Sequence, residues 1–129
     1  MKDSQKPYGA AILAVVGTAL MAFPAHAHHS QAMFDQSKDL TIEGAVQELQ
    51  WTNPHSWLVV HVGEPGGASV NWQLEMGPPG KLSRVGMKRN TFKPGDKVTV
   101  RIHPMRDGRA GGQIVTLTGP DGHSFDDVR

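Results

Sequence analysis

Between Asp39 and Arg129, proline and glycine recur so often that the pieces between them are of strand rather than helix length. The clearest piece is Ser69–Met76. There Val70, Trp72, Leu74 and Met76 alternate with Ser69, Asn71, Gln73 and Glu75, the period of two of a half-buried strand. Earlier, within Asp39–Trp51, Leu40, Ile42 and Val46 share one parity, which then switches to Leu49 and Trp51. A switch inside one long strand predicts a bulge or bend near Gln47. Thr52-Asn53-Pro54-His55 reads as a turn, Ser56–Val62 as a second strand, and Gly63–Gly67 as a hairpin loop. After Gly77-Pro78-Pro79-Gly80 stops the third strand, Lys81–Val85 predicts a short helix that leaves through Gly86. Lys93-Pro94-Gly95-Asp96 fits a type II turn. Lys97–His103 and Gln113–Thr118 are the fourth and fifth strands, with a flexible loop from Met105 to Gly112 between them and a polar tail from Asp121.

Three strands, a helix and two more strands form the order of an OB-like barrel, in which a long bent first strand joins two half-sheets. The expected fold is therefore all-β: a small five-stranded OB-like barrel with one short helix between strands 3 and 4. A small β-sandwich is the alternative. The barrel domain is assigned to residues 39–129 and an N-terminal leader to residues 28–38.

Residues 1–27 follow the grammar of a secretory signal peptide. Lys2 and Lys6 precede an apolar or small run from Gly9 to Phe23, Pro24 breaks it, and Ala25-His26-Ala27 gives the small-x-small cleavage pattern. A spanning helix needs about 20 apolar residues, so a cleaved signal is the better reading than a stable membrane anchor. The expected location is periplasmic, with His28 as the first residue after cleavage. The chain holds 13 basic and 12 acidic residues. Removing Lys2, Lys6 and Asp3 brings these counts level, which argues against a nucleic-acid partner. The absence of cysteine excludes thiolate metal sites, thiol redox chemistry and cysteine nucleophiles.

No nucleophile elbow, phosphate-cradling glycine loop or H-E-x-x-H pattern is present, so no catalytic residues are expected. Asp126-Asp127 reads as a solvated pair in the tail. The pointed chemistry lies in the histidines: His28, His29, His55, His61, His103 and His123. Cleavage after Ala27 gives His28 a free α-amine beside its imidazole, with ordinary pKa values of about 7.7–8.0 and about 6.5. The residue becomes a bidentate nitrogen chelate, and His29 adds a second ring. Nitrogen-rich sets favour copper most strongly, with zinc as the alternative. Met33 offers a soft thioether, and Asp35 a carboxylate to orient a ring. Against this stands the plainer reading that paired histidines near a chain end are simply solvated, and that His61 and His103 are partly exposed surface. Trp51 and Trp57 bracket the His55 turn, as core residues or as an aromatic wall.

Three stretches carry a resemblance: His28-His29-Ser30 with Ala32-Met33-Phe34-Asp35, then Trp51-Thr52-Asn53-Pro54-His55 with Trp57, and Lys93-Pro94-Gly95-Asp96-Lys97-Val98. Together with Arg106-Asp107-Gly108, they resemble a widespread family of small exported bacterial proteins of unknown function. The resemblance implies that His28, His29, Asn53, Pro54 and His55 belong to the family pattern. Gln31 departs from it where an aromatic residue is expected, which implies a weaker packing anchor for the leader. The functional expectation is a metal site of His28, His29 and His55, with copper as the ion. Its geometric condition is that the leader folds back to reach His55; otherwise His61 is the nearer partner. The alternative is a non-metal binding or accessory module of the cell envelope that holds a peptide, glycan or protein partner.

Overall fold

The computed structural model describes residues 29–63 and 66–129; the segment read as a signal peptide and His28 lie outside the described residues. The expected all-β barrel is present. Strands β1 (Leu40–Gln50), β2 (Ser56–Gly63), β3 (Ser69–Met76), β4 (Lys97–Pro104) and β5 (Gly111–Thr118) form one sheet that closes on itself. The closing step is a parallel pairing of β3 with β5, while the remaining pairs are antiparallel. A short turn of helix, α1 (His29–Ala32), precedes the barrel, and α2 (Pro79–Arg84) lies between β3 and β4. No helix among the described residues is long and apolar enough to cross a membrane.

The parity switch in β1 has the predicted cause. Its first half pairs with β4, its second half with β2, and the β2 register shifts between Val46 and Glu48, leaving Gln47 as the extra residue. Ile42 and Val46 are buried, whereas Leu49 and Trp51 pack against the core from its margin. Gly44 sits where the strand changes partners, and a side chain there would collide with the His61 carbonyl. Leu58, Val60, Leu74, Val100, Ile102 and Ile114 fill the barrel interior. Leu82 of α2 joins the same core.

Several boundaries differ from expectation. Helix α2 starts at Pro79 rather than Lys81, because the first helical position tolerates a residue without an amide proton. Gly111 and Gly112 read as a loop but begin β5. A Cβ at Gly112 would lie 2.7 Å from the His103 carbonyl oxygen, so the close approach of β4 requires glycine there. The segment Met105–Gly112 is not a free loop: Met105 N donates to Gly111 O at 3.1 Å and Gly108 N to Met105 O at 3.3 Å.

The largest correction concerns the tail. A sixth strand, β6 (Ser124–Asp126), pairs with β5 and extends the edge that β3 occupies further back. Phe125 and Val128 are buried in the core, with the Phe125 ring edge-on to Phe92 at 5.9 Å. Asp126 accepts a hydrogen bond from Thr116 Oγ1, and Asp127 pairs with Lys81 at 3.2 Å. Both aspartates are exposed, as expected of a solvated pair, but they stand on an ordered strand end rather than in a loose tail.

The leader is bound to the barrel. Phe34 forms a bridge with Met105, Asp35 N donates to Pro104 O at 2.8 Å, and Arg106 N donates to Met33 O at 2.9 Å. Phe34 is only 1% exposed. It supplies the aromatic anchor that Gln31 was expected to lack.

If the C-terminal residues are structural, Phe125→Ala should cost about 3–5 kcal/mol in urea unfolding, as for other buried phenylalanines. A change within about 0.5 kcal/mol, the surface range, would instead mark a solvated tail.

Candidate functional site

Closure of β3 on β5 places Glu75 opposite Gln113, while β2 places Trp57 opposite Glu75 on the other side. The odd-numbered residues of β3 face away from the barrel core, so Glu75 was expected in solvent. Instead it is 4% exposed, and Gln113 beside it is also buried. Period-two alternation identifies the outer face but not what covers it.

His55 stands at the end of the turn before β2. Thr52 Oγ1 donates to the His55 carbonyl at 2.9 Å, and Ser56, fully buried, donates its amide to Gly77 O at 3.1 Å. These bonds fix the backbone on both sides of the ring. The Asn53–Pro54 peptide is cis. His55 Nδ1 lies 3.2 Å from Glu75 Oε1. The approach is not aligned as a hydrogen bond, and Oε1 has no hydrogen-bond donor among the described residues. Burial raises the Glu75 carboxyl above its ordinary value of 4.5, against the opposing pull of the His55 charge and the Gln113 side chain. Nδ1 is the ring nitrogen nearer the carboxylate, at 3.2 Å, and a small rotation into line would give the hydrogen bond by which a carboxylate orients a metal-binding imidazole.

His55 opens onto a cleft of about 380 Å³ that Gln31 and Gln36 of the leader also line. The leader thus folds back to the His55 end of β1, the condition on which the histidine site depends. Lys81, Asp127 and Arg129 form the cationic and acidic rim of the same cleft. His61 is not among its residues; its Nδ1 lies 2.8 Å from Asn71 Oδ1. His29 begins α1, two positions before Gln31. His28 is outside the described residues, and no group of three histidine, aspartate or glutamate side chains suited to a metal occurs among those described.

The remaining candidates hold other places. Among the described residues, Asp35 is engaged by its own segment. It accepts from the Ser37 hydroxyl at 2.6 Å and lies 3.3 Å from Lys38 Nζ, bonds that lower its pKa, Ser37 foremost, and shape the leader's exit. His103 Nδ1 meets the Lys38 carbonyl at 3.0 Å and Asp39 Oδ1 at 3.3 Å, tying the leader to β4. The His123 ring packs edge-on to Phe125 at 4.6 Å. Trp51 packs on the core, whereas Trp57 lines a second cleft with Met33 and Phe34. The two indoles do not form one wall.

Sequence reasoning missed Glu75, Gln113 and Met105. The available signal for Glu75 was its position directly across from Trp57, but the burial depends on the seam and on the leader.

Because the folded-state pKa of Glu75 lies above 4.5, the folded protein holds that proton where the unfolded chain has released it. Stability therefore falls as pH rises from about 4.5 through the raised value. In metal-free buffer, Glu75→Gln should raise the thermal midpoint near neutral pH, and the difference should vanish below about pH 4, where both side chains are neutral. A variant less stable than the parent at neutral pH would show that the ion pair outweighs burial.

The family model described as a family of unknown function (DUF6152) matches residues 15–114, a span that ends within β5 and leaves β6 beyond it. No curated protein and no solved structure matches the chain.

Proposed function

Because the chain belongs to this family of unknown function (DUF6152), we propose its role from its own residues: a non-catalytic, exported barrel that binds a transition-metal ion in the periplasm. Copper is the first candidate and zinc the alternative. The ligands are the α-amine and ring of His28, the ring of His29, and His55 as the barrel's contribution.

The observation that carries this reading is the course of the leader. Gln31 and Gln36 share a cleft with His55, which supports a leader that brings the residues just after His29 to the turn whose imidazole stands 3.2 Å from a buried carboxylate. The donor set suits the ion. Imidazole and amine nitrogens favour copper over the earlier divalent metals, and neutral rings bind it without a charge penalty. Glu75 adds the second element: its under-compensated oxygen is stabilised when a cation draws charge through the His55 ring.

A second reading rests on the rim. Gln31, Gln36, Lys81 and Arg129 present neutral and cationic donors, a lining suited to a carboxylate-bearing peptide, a glycan or an envelope protein partner.

Mass spectrometry of the purified secreted form should give His28 as the first residue. Titration with Cu(II), Cu(I) and Zn(II) should show binding tighter than that of a His-His-Ser peptide. Replacing either His28 or His55 by alanine should weaken it about tenfold or more. An extra residue before His28, which blocks the amine, should weaken Cu(II) as well. Affinity no better than the peptide's would remove the metal reading and leave the partner module.

A further inference from the structure

The second cleft, on the other side of the leader, carries a different chemistry. It measures about 260 Å³ and takes Met33, Met105 and Trp57 into one lining. The two methionines are far apart in sequence and line one cleft because the leader pairs with the segment after β4. Met105 is the bridge partner of Phe34, and the Met33 carbonyl accepts from Arg106 N at 2.9 Å. Both thioethers therefore hang from hydrogen-bonded backbone. Met33 is 44% exposed, a large apolar side chain left in solvent at the mouth. Gly111 leaves space for Met105: a Cβ there would lie 3.2 Å from Met105 Cγ and 3.9 Å from its sulfur.

From this convergence we propose a binding site for a soft monovalent cation, Cu(I) or its analogue Ag(I), held by the Met33 and Met105 sulfurs with the Trp57 indole beside it. Thioethers select soft ions and bind hard ones poorly. An indole face adds attraction for a cation without donating a charge. No carboxylate lines the cleft, so calcium, magnesium and manganese find no anionic oxygen there. The cation at its edge, Arg109, is already neutralised by Asp107 at 2.7 Å. Asn71 and Gln73 complete the wall with neutral amides.

The site shares no side chain with the histidine cleft, so it stands or falls independently of that reading. Only the leader is common to both, Gln31 and Gln36 facing one and Met33 and Phe34 the other.

The test is Ag(I) titration of the purified protein with methionine ε-methyl groups labelled for NMR, repeated for Met33→Leu, Met105→Leu and His55→Ala. Leucine conserves volume, so both methionine variants should fold. The Met33 and Met105 methyl resonances should shift together at one equivalent, while buried Met76 and Met87 serve as unmoved references. Each leucine variant should weaken the Ag(I) affinity read from the remaining methionine methyl signal by about tenfold or more, the usual scale for loss of one good ligand contact. In His55→Ala the Met33 and Met105 methyl shifts should persist whatever the histidine cleft contributes to total binding. The proposal is overturned if the two methyl signals stay in place. It is equally overturned if both leucine variants bind as the parent does, or if the methyl shifts disappear with His55→Ala alone.

Discussion

The parallel pairing of β3 with β5 is the contact on which the rest of the molecule depends. Without it the five strands would be an open sheet with two long edges, each offering unpaired amides and carbonyls to other chains. With it, Gln73, Leu74 and Glu75 stand beside Gly111, Gly112 and Gln113, and the interior becomes a closed apolar volume. The seam also makes the outer surface on which both clefts are built: Glu75 and Gln113 beside His55, and Gln73 and Gly111 beside Trp57. Glycine at 111 lets the two strands approach at the seam, because a Cβ there would lie 3.1 Å from the Gln73 carbonyl oxygen of β3.

That closure has an electrostatic cost. A glutamate on the outer face would ordinarily be solvated, but here it is buried with one oxygen lacking a donor. The imidazole of His55 offsets part of the desolvation and burial still dominates. A group held this way favours any neighbouring positive charge. The arrangement therefore gives up folding stability at neutral pH to keep a carboxylate beside the His55 ring.

The barrel was legible from the sequence because its strands obey simple alternation and its turns use residues with one conformational meaning. Gly95, at φ 92°, sits where the type II turn demands it, and the parity switch at Gln47 marks the bulge in the sequence itself. What was not legible depends on contacts distant in sequence. Phe125 and Val128 are spaced too sparsely among polar residues for a period to show, and only the edge of β5 organises Ser124–Asp126, with Phe125 at its centre, into a strand. Glu75 looked like every other outward residue of β3, since alternation says nothing about a covering segment. Of the candidate metal ligands, His55 was found by its turn and its neighbours. Met105 was not, because nothing local announces that it meets Met33.

The leader's docking also constrains the order in which the molecule assembles. Arg106 Nε donates to the carbonyl of Ala32 across a separation of 74 positions, and Phe34 finds its partner only at Met105. The first described segment to be synthesised thus has no surface to rest on until nearly all five barrel strands exist. Pairing of Leu40 with Ile102 already brings the leader beside the segment after β4, so only a short closure is left to its docking. Each cleft takes part of its lining from the leader, so neither is complete until the leader is seated.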